Sequence, residues 1–100
     1  MQTVPQTFAE GNYKYEQVTR QGDWAIYRQT HRENPDVVRY EVVRIRIVRA
    51  HVWPNGTETP EHEGYPGATR WGVDGFTTYT LGEAQALLAQ KMAAREGAAP

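Results

Sequence analysis

The run VVRYEVVRIRIVRAHVWPNG, residues 37–56, sets Arg44, Arg46 and Arg49 among branched aliphatics and ends on Trp53 beside a tight-turn dipeptide. A guanidinium is planar and permanently charged, and its fixed fork of donors suits bidentate contact with carboxylate or phosphate. Arginine, tyrosine and tryptophan are also enriched where proteins grip one another. Arg28 and Tyr27 lie on the preceding run, WAIYRQTHR. The recognition residues read from the sequence are therefore Arg44, Arg46, Arg49, Trp53, Arg28 and Tyr27, with the turn-rich loop 54–66 beside them.

Other chemistries fit less well. Glu61, His62 and Glu63, with His51, supply metal-ligand types, but their spacing matches no zinc pattern, and the segment reads as a solvated acidic loop. No serine and no cysteine occur, which excludes the commonest nucleophiles. Carboxylates beside His62 could do acid–base work, yet a pocket is hard to enclose in so small a domain. No enzyme activity, metal or cofactor is expected. Gly72-Val-Asp-Gly75 lacks the Lys-Ser/Thr ending of a phosphate loop and precedes a strand instead of opening a helix.

The chain of 100 residues bounds a single domain with a modest core, to which three tryptophans and six tyrosines contribute most area. The absence of cysteine fits a reducing compartment. No apolar run approaches a membrane span. MQTVPQTFAEGN has neither the basic start nor the apolar middle of a signal peptide, so a cytoplasmic location is expected. The net charge of −1 hides an asymmetry: seven arginines face four acids in residues 20–49, and three cations face six acids in residues 50–100. Either the basic strand lies over the protein's own acidic loop 58–63, or it is a contact surface for an acidic partner.

These residues need elements to position them. Residues 1–12 are polar and aperiodic and read as a flexible arm. YKYEQVTR (13–20) reads as a short edge strand, and the runs 24–32 and 37–52 as a β-hairpin around ENPD (33–36). The apolar phase flips at Val42-Val43, which predicts a β-bulge. Sixteen extended residues in 37–52 would also span about 50 Å, so the strand must bend, end early or protrude toward a partner. An exposed edge there would allow a homodimer through residues 37–52. Residues 53–68 are either a functional loop or hold a short strand around 57–63. TRW and FTTYT read as short strands joined by Asp74-Gly75, with Gly72 and Gly75 serving a turn and a close approach. Thr80 and Glu83 form a capping box for a helix ending near Arg95, whose apolar face is Leu81, Ala84, Leu87, Leu88 and Met92. Trp71 and Phe76 are expected between sheet and helix. The fold class is α+β: an antiparallel sheet of about four strands with one C-terminal helix packed on one face. The domain is placed at 13–96, with a tail at 97–100.

The pattern YEVVRIRI…G…P…E.YP…WG.DGFT…TLGEA, from Tyr40 to Ala84, resembles small uncharacterised proteins of phages, prophages and plasmids. That resemblance implies an accessory role: binding and inhibiting a host protein or a defence complex of the restriction or CRISPR kind. RWG..GF…TLGEAQALL is similar to the core of the WGR domain, which contacts nucleic-acid ends, but Val73 stands where that family has arginine. The expectation is thus a non-enzymatic protein-binding module. The alternative is a nucleic-acid binder using the arginine-rich strand face.

Overall fold

The computed structural model describes the backbone of residues 1–98 and the side chains of residues 1–94. Strands β1 (Thr7–Glu10), β2 (Tyr13–Gln21), β3 (Trp24–His31), β4 (Val38–Arg44) and β9 (Gly75–Thr78) form an antiparallel sheet in the order β1-β2-β3-β4-β9. Helix α1 (Leu81–Ala98) packs on one face of it. The α+β reading holds, with five strands in the sheet. Residues 13–21 form an inner strand, not an edge, because the N-terminal segment pairs outside them.

The hairpin of β3 and β4 follows from its sequence. Branched and aromatic residues favour a pleated surface. Asn34-Pro35-Asp36 turns the chain, and the Val37 amide donates to the Asn34 carbonyl at 3.0 Å. Residues 24–30 then pair with 44–38 without interruption. The bulge expected at Val42-Val43 is absent. Both valines are fully buried, since layers cover both faces of the sheet at this point. Val42 meets Ala84 and Leu88 on the helix side. Val43 and Ile45 meet Val4, Ala25 and Tyr27 on the other. A register break does occur, but in β2 between Gln17 and Thr19, at the exposed Val18.

The helix starts at the expected Thr80 cap, with one half of the capping box formed and the Glu83 carboxylate turned to the Thr80 hydroxyl. The Glu83 amide donates to Thr80 Oγ1 at 3.1 Å, and the Thr80 hydroxyl is 3.0 Å from the Glu83 carboxylate. Ala84 and Leu88 are buried, and Leu81, Leu87 and Met92 pack half-buried beside them. Phe76 joins this layer, with the Lys91 ammonium 4.4 Å from its ring centre. The helix continues to Ala98, past the expected end, so positions 97 and 98 of the expected tail are helical; 99 and 100 lie outside the described residues.

The opposite face carries an aromatic layer of Phe8, Tyr15, Tyr27, Tyr65 and Trp71. Trp71 therefore sits on the far side of the sheet from the helix, contrary to expectation. Its indole lies flat on Gly75, where an added Cβ would come 2.5 Å from the ring. TRW is not a strand: Ala68–Arg70 form a single 3-10 turn, and Gly72 at φ +92° reverses the chain. Nor are residues 1–12 a loose arm. Val4 is buried, β1 pairs with β2, and Phe8 stacks on Tyr15 at 4.6 Å.

Beyond Arg44 the chain leaves the sheet. Strands β5 (Arg46–Val48) and β6 (His51–Val52) pair with β8 (His62–Gly64) and β7 (Glu58–Thr59) in one shared register, making a single ribbon over residues 46–64. That register places Ala50 opposite Pro60. Proline has no N–H to give, so the ladder breaks there. At the tip, Gly56 at φ +85° donates to the Trp53 carbonyl at 2.9 Å, and Trp53 N donates to Thr57 at 2.8 Å. This is the geometry that Pro-Asn-Gly favours. The segment 53–68 thus holds short strands. The long run 37–52 ends early and then protrudes, giving a radius of gyration of 15.1 Å against about 13 Å for a compact chain of this length.

Candidate partner-binding site

Arg44 closes β4 and Arg46 opens β5, and both point at the turn before β9. Asp74 lies in that turn with its side chain 1% exposed. Its Oδ2 accepts from Arg70 Nε at 2.7 Å and from Arg46 Nη1 at 3.0 Å. Arg44 Nη1 lies 3.9 Å from Oδ1, which accepts no hydrogen bond among the described residues. Arg44 Nε also reaches Asp23 at 3.4 Å. Burial alone would push the Asp74 carboxyl up. The guanidiniums of Arg70 and Arg46 outweigh it and hold the group below its usual range.

Among the described residues, three guanidiniums thus meet two carboxylates. Each guanidinium is roughly half exposed. Their inner sides anchor the ribbon's root, and only their outer sides remain for a partner. The acid that Arg44 and Arg46 meet is Asp74, not the loop 58–63. Glu63 of that loop is taken by Arg20, with Nη1–Oε1 and Nη2–Oε2 both at 2.7 Å, and also accepts from Val4 N at 3.1 Å. The Arg20 bonds bring the Glu63 carboxyl down to about 2. A cleft of about 450 Å³ separates the two clusters, lined by Arg20, Asp23, Arg44, Arg46, Ile47 and Glu63.

The remaining sequence candidates divide. Arg49 and Trp53 are on the ribbon. Arg49 is exposed and forms no ion pair among the described residues. Trp53 is half exposed, stands edge-on to His51 at 4.4 Å and donates from Nε1 to Thr59 at 2.9 Å. Ile47, Val48 and Val52 are exposed with it. Arg28 is exposed but sits four residues along β3 from the position paired with Arg44, about 13 Å away. Tyr27 is not a surface residue at all. It is fully buried, and its hydroxyl donates to the Pro5 carbonyl at 2.8 Å and accepts from Gln17 Nε2 at 3.0 Å. It lies on the covered face of a central strand, which is why it cannot join a contact patch.

The expected dimer strand is also altered. Residues 40–43 are paired on both sides, by β3 and β9, and offer no free edge; the ribbon part of 37–52 is paired on one side. Sequence reasoning missed Arg70, Asp74 and Arg20. The i, i+4 spacing of Arg70 and Asp74 was the available signal, obscured by the turn character of Asp-Gly.

No protein-family model matches the chain, and no curated protein or solved structure matches it. The described residues contain no helix long and apolar enough to cross a membrane, and no group of three or more metal-ligating side chains.

Proposed function

We propose that the protein is a non-enzymatic protein-binding module that presents the ribbon 46–64 to its partner. The observation that carries this reading is the ribbon itself. It projects from the sheet with Ile47, Val48, Val52 and Trp53 exposed. Apolar side chains gathered on a projecting element mark interaction sites, and tryptophan and arginine are the residues enriched in hot spots. Arg49 supplies a charge that forms no ion pair among the described residues. Arg44 and Arg46 contribute their outer sides. The finer reading follows the phage-type resemblance: an accessory protein that binds and inhibits a host protein or defence complex.

The test is affinity capture from host lysate with the wild type and with Val52→Asp/Trp53→Ala. Both should show the same circular dichroism and melting point, and only the wild type should retain a partner. Equal capture by the variant overturns the ribbon as the contact surface. The nucleic-acid alternative rests on the guanidiniums around Asp74. The tyrosines on the same two strands, Tyr27 and Tyr40, which a base-stacking face would need, are packed into the two core layers. A gel shift that weakens steeply with salt would favour it.

A further inference from the structure

We propose that the cleft between Tyr65 and Trp71 binds a small alkylammonium cation, with Glu41 as its counter-charge. The cleft lies on the sheet face away from the helix and measures about 310 Å³; Glu10, Tyr15, Glu41, Tyr65, Ala68 and Trp71 line it. This is near the lower end of the range for ligand pockets, so it fits a head group and not an extended ligand.

Glu41 is the unusual feature. It is 7% exposed, on a central strand. Its Oε1 accepts from the Tyr65 hydroxyl, and Gln29 Nε2 lies 3.5 Å from Oε2. It forms no ion pair among the described residues, and no lysine, arginine or histidine lines the cleft. The second acid, Glu10, adds to the negative field. A carboxylate held in such a place either takes a proton or takes a cation.

The walls favour a particular kind of cation. Tyr15, Tyr65 and Trp71 carry electron-rich ring faces, the surfaces that attract alkylated ammonium groups. They are fixed before any ligand arrives. Tyr65 packs edge-on against Phe8 at 5.3 Å and Tyr27 at 5.2 Å. Tyr15 stacks on Phe8 and accepts from Gln29 Nε2 at 3.0 Å. Trp71 is pinned by Nε1 donating to Thr77 at 3.0 Å and by the bare Gly75 beneath it. A divalent metal would want a third oxygen-rich ligand, which the described residues do not gather here. An anion would meet the wrong charge. The site is separate from the ribbon, so this inference does not depend on the proposed function.

The experiment titrates the full chain with choline, with trimethyl-lysine as the free amino acid, and with 3,3-dimethylbutan-1-ol, the uncharged carbon analogue of choline. Calorimetry gives the affinity, and the indole N–H resonances give the location. Millimolar binding of a cation is expected, with the Trp71 signal moving and those of Trp24 and Trp53 still. The alcohol should bind at least about tenfold more weakly. The tighter of the two cations names a free amine or a modified side chain as the source; either supports the site. Glu41→Gln keeps the shape and removes the charge, and should weaken binding by at least about tenfold. Trp71→Leu keeps apolar filling without a ring face and should weaken it too. Equal binding of the alcohol, unchanged affinity in Glu41→Gln, or no cation binding at about 50 mM overturns the proposal; the last lies far above the millimolar range of small ligands.

Discussion

Arg46 and Asp74 are 28 residues apart in the chain and 3.0 Å apart in space. That bond, with the one from Arg70, joins the root of the ribbon to the turn that leads into β9. Breaking a buried pair costs most when the buried member is left uncompensated. Here that member is Asp74, because the guanidiniums are half in water. Arg46→Ala/Arg70→Ala should therefore destabilise by about 3–5 kcal/mol in urea unfolding. Arg44→Ala, whose contact is longer and exposed, should cost under about 1 kcal/mol. Equal losses would show that Asp74 does not depend on its close partners.

Glu63 ties the ribbon to the sheet through Arg20, and its pKa is lowered to about 2. A lowered folded-state value means the stabilisation is present above the unfolded value near 4.3 and is lost as pH falls toward 2. Glu63→Gln should lose at most on the order of 3 kcal/mol at neutral pH. The gap from wild type should close on acidification. A constant gap from pH 7 down to 2 would separate the pair from the acid response.

Glu41 works in the opposite direction. Burial raises its pKa, and the nearby Glu10 adds to the shift. The folded state then holds its proton to higher pH than the unfolded state does, so stability falls as pH rises from about 4.3 through the raised value. Glu41→Gln should be the more stable protein at pH 7 in the absence of ligand, with the difference vanishing near pH 4. A variant less stable than wild type at pH 7 would mean the carboxylate is better compensated than its surroundings indicate.

Gly75 owes its place to Trp71. A Cβ there would meet the indole at 2.5 Å, and the ring cannot step aside without giving up its bond to Thr77. Gly75→Ala should cost about 1–3 kcal/mol through overpacking and shift the Trp71 indole N–H resonance. Gly67→Ala, with open space around it, is the control and should leave both unchanged.

What the sequence made legible was local. The Thr80 cap, the ENPD turn and the Pro-Asn-Gly tip are decided within a few residues, and each forms as read. Apolar phase was legible too, but its meaning was not. The flip at Val42-Val43 reads as a bulge if one face is wet, and as a regular strand if both are covered; only the second layer, built from Val4, Phe8, Tyr15 and Tyr65, decides between them. The site was harder for the same reason. Which acid meets which arginine depends on the register between segments tens of residues apart. Asp74, not Glu58 or Glu61, reaches Arg46 because the turn at Gly72 folds it under the sheet's end.

The ribbon offers the sharpest separation of fold from function. No buried core residue falls between positions 49 and 61, and the main-sheet contacts of the ribbon end at Glu63. Val48 and His62 are paired, so an Asn-Gly turn in place of residues 49–61 would close a short hairpin on the existing register. The shortened chain should unfold within about 1 kcal/mol of wild type, since loop closure changes little with length. It should keep the Trp71 indole resonance and any cation binding at Glu41, because that cleft lies on the sheet. Partner capture should vanish. Capture that survives the deletion would move the contact surface to the exposed sides of Arg44, Arg46 and Arg70, and a collapse in stability would show that the ribbon is part of the folding unit.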